Sequence, residues 1–482
     1  MRFIGCKKNL LPFLDSVVRA QGVSGGAFCD LFAGTAAVGK HFKRAGFAVM
    51  STDLLYFSFV LQKAHVEINA PPTFAGLSPY IDINTRDIFN ADAAVRVVGF
   101  LNRLDGEDGF IFRNYTPEGT KGGRYVRRYF TAENGRKIDA VRAQIETWMR
   151  QNLINEQEYF YLLCALVEAA PFVSNISGTY SAFLKQWDAR AHKPLTLSPP
   201  AVVPSKHKHV AANEDALAFA ERIKNVTVLY LDPPYNGRQY APNYHILETI
   251  ARADSPPLRG VSGLRDYSQQ KSEFCSRKTA LSALSRIIEA ADYQHLVLSY
   301  NEDGIISNDE IMRLLKRHGK VDVVEKDYSR YKSNNGGSGR TRVKERAYSM
   351  KRVHPKNTLN DLSGAEWLWF LKSVESTAYS VRGEEGFAHE LRRLHPSPKP
   401  PQLMRQFIEF FTKQGESVLD PFMGVGGVLL ACSLCDRRAT GVDGAVQNKA
   451  RFGCGVSTVC GWVAFLSAGG ARHRFACRCQ SD

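Results

Sequence analysis

Four consecutive residues, Asp232-Pro233-Pro234-Tyr235, follow directly on the run Val226-Thr227-Val228-Leu229-Tyr230-Leu231. A β-branched, apolar run of this length predicts a buried strand, which puts the tetrapeptide at a strand's carboxyl end. There the Asp232 carboxylate and the backbone carbonyl of Pro233, held by rigid prolines, offer two acceptors to one amino group. An amino group conjugated to a heteroaromatic ring is a poor nucleophile, because its lone pair is delocalised. Accepting both of its hydrogens draws the nitrogen toward a tetrahedral shape and frees that pair. Tyr235 offers a ring to stack on the substrate's ring. Direct in-line transfer to such a nitrogen needs positioning and no covalent intermediate. Asp-Pro-Pro is also ordinary turn material, so the reading depends on what accompanies it.

A second motif accompanies it. Ala27 to Phe32 reads as a short buried strand, Ala33 to Ala37 as a small-residue loop and Val38 to Ala45 as a helix. A further strand, Phe47 to Ser51, leads to Asp53. Strand, tight loop, helix, strand and acid in this order open a Rossmann-like nucleotide site. The loop Phe32-Ala33-Gly34 lets backbone approach a cofactor, Phe32 packs beneath it, and Asp53 is placed for ribose hydroxyls. GxGxxG is absent, which weakens any dehydrogenase reading.

A further strand, His295 to Tyr300, and the alternation with helical patterns imply an α/β fold with a mostly parallel sheet covered on both faces. The expected organisation is a catalytic core of residues 1–68 and 210–350, interrupted by a largely helical insertion, 69–209. Helical patterns run from Asn134 to Gln151 and from Glu156 to Ala170, and Tyr331 to Arg346 reads as a loop. Residues 351–482 form a third part.

Lys and Arg total 63 against 48 Asp and Glu, a formal charge of +15, which favours a polyanionic partner without proving one. The insertion carries a basic, aromatic cluster suited to phosphate contacts and base stacking: Lys121, Arg124, Arg127 and Arg128 with Tyr115, Tyr125 and Tyr129. His245 and Glu248 read as structural. Cys432 and Cys435 have a metal-like spacing but lie in an apolar helical pattern without a second pair, so no metal is expected. No apolar run is long enough to span a membrane and no secretion signal is read, which makes a cytoplasmic location the expectation.

The order Gly5-Cys6-Lys7, Phe32-Ala33-Gly34, long insertion, Asp232 to Tyr235 resembles the alpha group of N6-adenine DNA methyltransferases from restriction–modification systems. Tyr230 through His245, Arg113-Asn114-Tyr115 and Leu298-Ser299-Tyr300-Asn301 are similar to one subgroup, and the resemblance covers roughly Met1 to Lys351. It implies a Rossmann-like methyltransferase fold and transfer of a methyl group from S-adenosyl-L-methionine to adenine N6 in double-stranded DNA. The target base would be flipped out of the duplex, and a cognate restriction endonuclease would be a partner. It also implies that Asp232, Pro233, Pro234 and Tyr235 are catalytic. Lys7, Phe32, Ala33, Gly34, Asp53 and Asp232 would hold the cofactor. Lys121, Arg124, Tyr125, Arg127 and Arg128 would contact DNA, with Asn175 to Lys185 also near it. The family pattern is F-x-G-x-G, and Ala36 stands where the second glycine belongs; a methyl there strains a positive φ. N4-cytosine methylation, and a DNA-binding pseudoenzyme with a weakened cofactor site, stay open as alternatives.

The opening recurs near the end of the sequence, at Val418-Leu419-Asp420-Pro421-Phe422-Met423-Gly424-Val425-Gly426-Gly427 followed by Gly441-Val442-Asp443. About forty residues follow Asp443, too few for the rest of a catalytic sheet. The expectation is a partial second methyltransferase-like module with an irregular tail; an intact second cofactor site is the competing one.

Overall fold

In the computed structural model, β1 (Ala27–Asp30), β2 (Ala48–Thr52), β3 (Val210–Ala212), β4 (Val226–Leu231), β5 (Tyr293–Asn301), β6 (Val321–Ser329) and β7 (Arg342–Lys351) form one sheet, in the order β3-β2-β1-β4-β5-β7-β6. The structure describes residues 7–82, 92–329, 342–353, 359–362, 399–422, 424, 426–441 and 464–466. Two compact units are present, Met1–Val353 and His354–Asp482.

The first five strands pair in parallel, and β7 runs antiparallel between β5 and β6. Side chains that alternate along a strand go to opposite faces, and here both faces are buried. Phe28, Val228, Tyr230 and Val297 join one hydrophobic cluster, while Cys29, Leu229, Leu231 and Leu296 join the other. The first cluster takes α1 (Leu11–Ala20), α2 (Ala37–Arg44), α3 (Tyr56–Gln62), α4 (Ala93–Arg103), α5 (Phe110–Tyr115), α6 (Ala132–Arg150), α7 (Glu156–Ala169) and α9 (Ala241–Arg252). The second takes α8 (Ala216–Arg222), α10 (Ala280–Ala290) and α11 (Asn308–Lys316). Insertion and sheet therefore share a core, since Leu163 of α7 and Phe28 of β1 belong to the same cluster.

Local sequence sets the helix ends. Asn155 and Glu158 make a reciprocal capping box at the start of α7, and Ser307 and Glu310 make another at α11. The loop expected over Tyr331 to Arg346 needs correction at its end. Arg342 to Arg346 are strand, paired with Ser329 through Glu325 of β6, while residues 331–341 lie outside those described. Lys, Arg and Gly made this stretch look irregular, yet Glu345 and Ala347 are buried on one face while Lys344, on the other, is exposed.

In the second unit β8 (Ser417–Asp420) and β9 (Arg438–Gly441) pair in parallel, and β10 (Ala464–Leu466) runs antiparallel to β9. α12 (Pro401–Phe411) and α13 (Gly427–Leu434) enclose a small core of Ile408, Leu429, Ala431, Cys432, Cys435 and Ala439. Among the described residues no helix is long and apolar enough to cross a membrane.

The Phe28 ring is fully buried, stacks on Phe42 at 3.9 Å and meets Phe47 edge-on at 5.9 Å. Phe28→Ala should cost about 3–5 kcal/mol of unfolding free energy in a denaturant titration. A loss below about 1 kcal/mol would mean that this ring does not anchor β1.

Candidate active site

Strand order decides where a site can form. Connections leave β1 toward β2 on one side and β4 lies on the other, so a crevice opens outside the carboxyl ends of β1 and β4. Asp30 pairs in register with Tyr230, which brings the end of β1 beside Asp232. Every catalytic and cofactor candidate named from the sequence lines the pocket at this crevice: Lys7, Phe32, Ala33, Gly34, Asp53, Asp232, Pro233, Pro234 and Tyr235.

The loop after β1 is built on backbone hydrogen bonds. Leu31 N donates to Tyr230 O at 3.3 Å, Ala33 N to Thr52 O at 3.2 Å and Ala36 N to Ala33 O at 2.8 Å. Asp53 clamps the turn, accepting from Gly34 N through Oδ2 at 2.8 Å and from Leu55 N through Oδ1 at 2.9 Å. Gly34 has φ +51°, where a side chain is costly, and Ala36 has φ +58° with its methyl fully buried. The left-handed cost at Ala36, about 1–2 kcal/mol, is thus partly offset by burying a methyl, worth about 0.8 kcal/mol. The strain expected at this position is present, and the core absorbs much of it.

Carboxyl groups crowd this pocket. Asp30 is buried and accepts from Phe32 N at 3.2 Å. Burial pushes its carboxyl up to about 8 against that hydrogen bond, with Asp232 and Asp53 adding to the rise. Burial also lifts Asp53 to about 6, in spite of the Leu55 and Gly34 amides. Asp232 rises to about 6 from burial, opposed by Lys7 and aided by Glu345. Lys7 Nζ stands 3.0 Å from Asp232 Oδ1 and 2.7 Å from Glu345 Oε1, and Ser299 Oγ donates to the same Glu345 oxygen at 2.6 Å. Burial alone would lower the Lys7 ammonium, but the Asp232 and Glu345 charges hold it well above its ordinary value.

The wall facing the loop comes from Gln239 and the segment around Ser272. Gln239 exchanges two hydrogen bonds with the Ser272 backbone, at 3.0 and 2.8 Å, and Phe274 meets Phe32 edge-on at 5.2 Å. His245 is buried, with Nε2 at 2.9 Å from Tyr180 O, and burial pushes its imidazole down to about 4. Glu248 accepts from Tyr56 N and Phe57 N at 3.1 and 3.0 Å, so both residues serve the scaffold. Lys40, His65 and Glu168 form a chain in which Lys40 Nζ lies 3.1 Å from His65 Nδ1 and His65 Nε2 lies 3.1 Å from Glu168 Oε1. An ammonium can only donate, so Nδ1 accepts and Nε2 carries the proton toward the carboxylate.

The basic cluster of the insertion lies apart from the pocket lining and is not uniform. Lys121 and Arg124 are exposed, and Arg124 lies over the Tyr125 ring at 5.3 Å. Arg127 donates to the carbonyls of Asn114, Gly260 and Val261, and Arg128 donates to Lys185 O. Stacking of a base on Tyr115 or Tyr129 needs correction: both rings are fully buried, with their hydroxyls donating to Gly263 O and Tyr180 O. Their basic, aromatic neighbourhood looked like a surface, but the rings face the core.

Sequence reasoning did not name Asp30 or Glu345. Asp30 was visible as the acid closing β1, whereas Glu345 lies in the stretch read as a loop. The second unit repeats the first loop's backbone. Gly424 and Gly426 have φ +53° and +74°, and Phe422 N donates to Asp420 Oδ1 at 3.1 Å, matching Phe32 and Asp30. Phe422 is 90% exposed, however, whereas Phe32 packs on Phe274. Met423, Val425, Val442 and Asp443, and Gly5 and Cys6 of the first motif, lie outside the described residues.

A glycine-containing loop at the topological switch point, an acid closing each neighbouring strand and a carboxylate pocket define a Rossmann-like nucleotide-cofactor site. A family model described as D12 class N6 adenine-specific DNA methyltransferase matches residues 3–314, and the chain belongs to that family. Type II methyltransferase M.NlaIII of Neisseria lactamica is 37% identical over 69% of this chain and 93% of its own length. Type II methyltransferase M.FokI of Planomicrobium okeanokoites is 40% identical over 69% of this chain, and modification methylase StsI of Streptococcus sanguinis is 37% identical over 82%. The chain spans 50% of the former relative and 59% of the latter. A second model, described as DNA methylase, matches residues 290–447.

A carboxyl held higher in the folded than in the unfolded chain makes the folded state the better proton binder between the two values. Stability therefore falls as pH rises through that window, from about 4 unfolded to about 8 for Asp30. Asp30→Asn should flatten the fall in unfolding free energy between about pH 5 and pH 8. Parallel slopes for both proteins in urea titrations would show that Asp30 ionises without this cost.

Proposed function

We propose that the chain transfers a methyl group from S-adenosyl-L-methionine to the N6 amino group of adenine in double-stranded DNA, as the modification half of a restriction–modification pair. The observation that carries this reading is the meeting of Asp232, Pro233 and Tyr235 with the Gly34 loop in one pocket, with Lys7 on Asp232 Oδ1. Family membership supports the reaction class.

The pocket fits the cofactor. Gly34 presents backbone without a side chain, and Asp53, although each oxygen takes one amide, keeps a lone pair on each for ribose hydroxyls. Phe32, Ala33 and Lys7 complete the binding set, and Asp30 lines the same pocket. When bound, the cofactor supplies the methyl group as an electrophile on a sulfonium.

The chain's residues do the rest. Asp232 and the Pro233 carbonyl accept the two hydrogens of the amino group, Pro234 stiffens the turn, and Tyr235 stacks on the flipped base. With its carboxyl near 6, Asp232 is ionised at neutral pH and still a good acceptor. Lys121, Arg124 and Arg128, all exposed, contact DNA phosphates with Tyr125, and Arg127 braces their loop against residues 260 and 261. In this reading residues 1–68 and 210–350 are the catalytic core, 69–209 recognise the target and 351–482 are a partial second module. As the modification half of such a pair, the chain works in the cytoplasm beside a cognate endonuclease that reads the same site.

Asp232→Ala should lower the methylation rate by at least about 10²–10³ and leave DNA affinity, read by fluorescence anisotropy, within a few-fold of wild type. Loss of DNA binding together with activity would mean that Asp232 has a different role.

A further inference from the structure

The reaction proposed above uses Asp232 and does not use Glu345, a carboxylate only 3% exposed on β7 and outside residues 3–314 that match the adenine methyltransferase model. A buried acid needs partners, and those of Glu345 lead to the reacting group. Its Oε1 accepts from Ser299 of β5 at 2.6 Å and from Lys7 at 2.7 Å, and the same Lys7 nitrogen lies 3.0 Å from Asp232 Oδ1. One ammonium thus stands between two carboxylates. Glu345 is fixed by the antiparallel pairing of β7 with β5 and by the Ser299 hydroxyl, whereas Lys7 belongs to a short turn, Lys7–Leu10, ahead of α1. The strand side of the bridge sets where the ammonium rests.

The consequence for Asp232 is electrostatic. A lysine given wholly to Asp232 would draw its electron density and make it a weaker acceptor for an amino group. Shared with Glu345, Lys7 neutralises the pocket less than a full pair would and leaves Asp232 basic. We propose that Glu345 is a positioning residue for this reaction: it anchors Lys7 and divides its charge, so that Asp232 remains available as an acceptor. This inference rests on the reading of Asp232 given above. Among the described residues, Asp30 at the end of β1, Tyr230 at the end of β4 and Tyr240 beyond the motif also interact with Asp232.

The test is titration of the Asp232 carboxyl in the full chain by infrared difference spectroscopy, assigned with Asp232→Asn, in wild type and Glu345→Gln. Removing the second anion ends its repulsion on Asp232 and gives Lys7 to Asp232 alone; both effects act downward. The midpoint should fall by about one pH unit, with the acid limb of the methylation pH–rate profile moving the same way, and Glu345→Asp should restore much of it. A second neutral variant, Glu345→Met, should give the same shift. An unmoved midpoint in folded neutral variants would overturn the proposal. So would failure of both neutral variants to fold while Glu345→Asp folds, which would make Glu345 a structural residue only. The infrared readout needs no turnover, so an inactive wild type would sink the reading of the reaction and leave this inference to be decided by its own measurement.

Discussion

The pocket depends on burying several carboxyl groups at the ends of three neighbouring parallel strands. Asp30 closes β1, Asp53 follows β2, and Asp232 follows β4. Burial favours the protonated form of each, and the protein counters this differently at each position. Asp53 receives two backbone amides, Asp30 receives one, and Asp232 receives the Lys7 ammonium. That gradation leaves Asp30 near 8, while Asp53 and Asp232 stay at about 6 and are ionised at neutral pH. The rest of the first unit provides the burial and the register that this arrangement requires.

The sheet accomplishes this through its order. β1 and β4 are far apart in sequence, yet their pairing brings the loop after β1 and the tetrapeptide after β4 to one crevice. The insertion between them contributes α6 and α7 to the same hydrophobic cluster as β1. The basic loop of the insertion and the pocket are therefore carried on one core, with Arg127 bracing that loop against carbonyls of a distant segment. The second unit shows the loop geometry separately from the pocket. Its glycines adopt the same left-handed backbone and its Asp420 makes the same turn bond, but Phe422 is exposed.

Much of this was legible in the residues. The apolar run of β4, the small-residue loop and the acid after β2 each carry local signals, and the residues they singled out line one pocket. Ala36 was recognisable as a departure because glycine is the usual answer to a positive φ, and its φ is indeed +58°. What could not be read depends on long-range pairing. Glu345 matters because β7 lies against β5, a pairing with no local signature in a stretch rich in Lys, Arg and Gly. Tyr115 and Tyr129 misled for the converse reason: basic neighbours in sequence suggested a surface, while tertiary packing turned both rings inward.

The central claim is that this pocket activates an adenine amino group. Transfer of labelled methyl from S-adenosyl-L-methionine to unmethylated duplex DNA, followed by nucleoside analysis, tests it most directly. The account predicts label in N6-methyladenine. Label in cytosine would keep the amino-group chemistry and contradict the base, and absence of label with DNA binding intact would contradict the claim of catalysis itself.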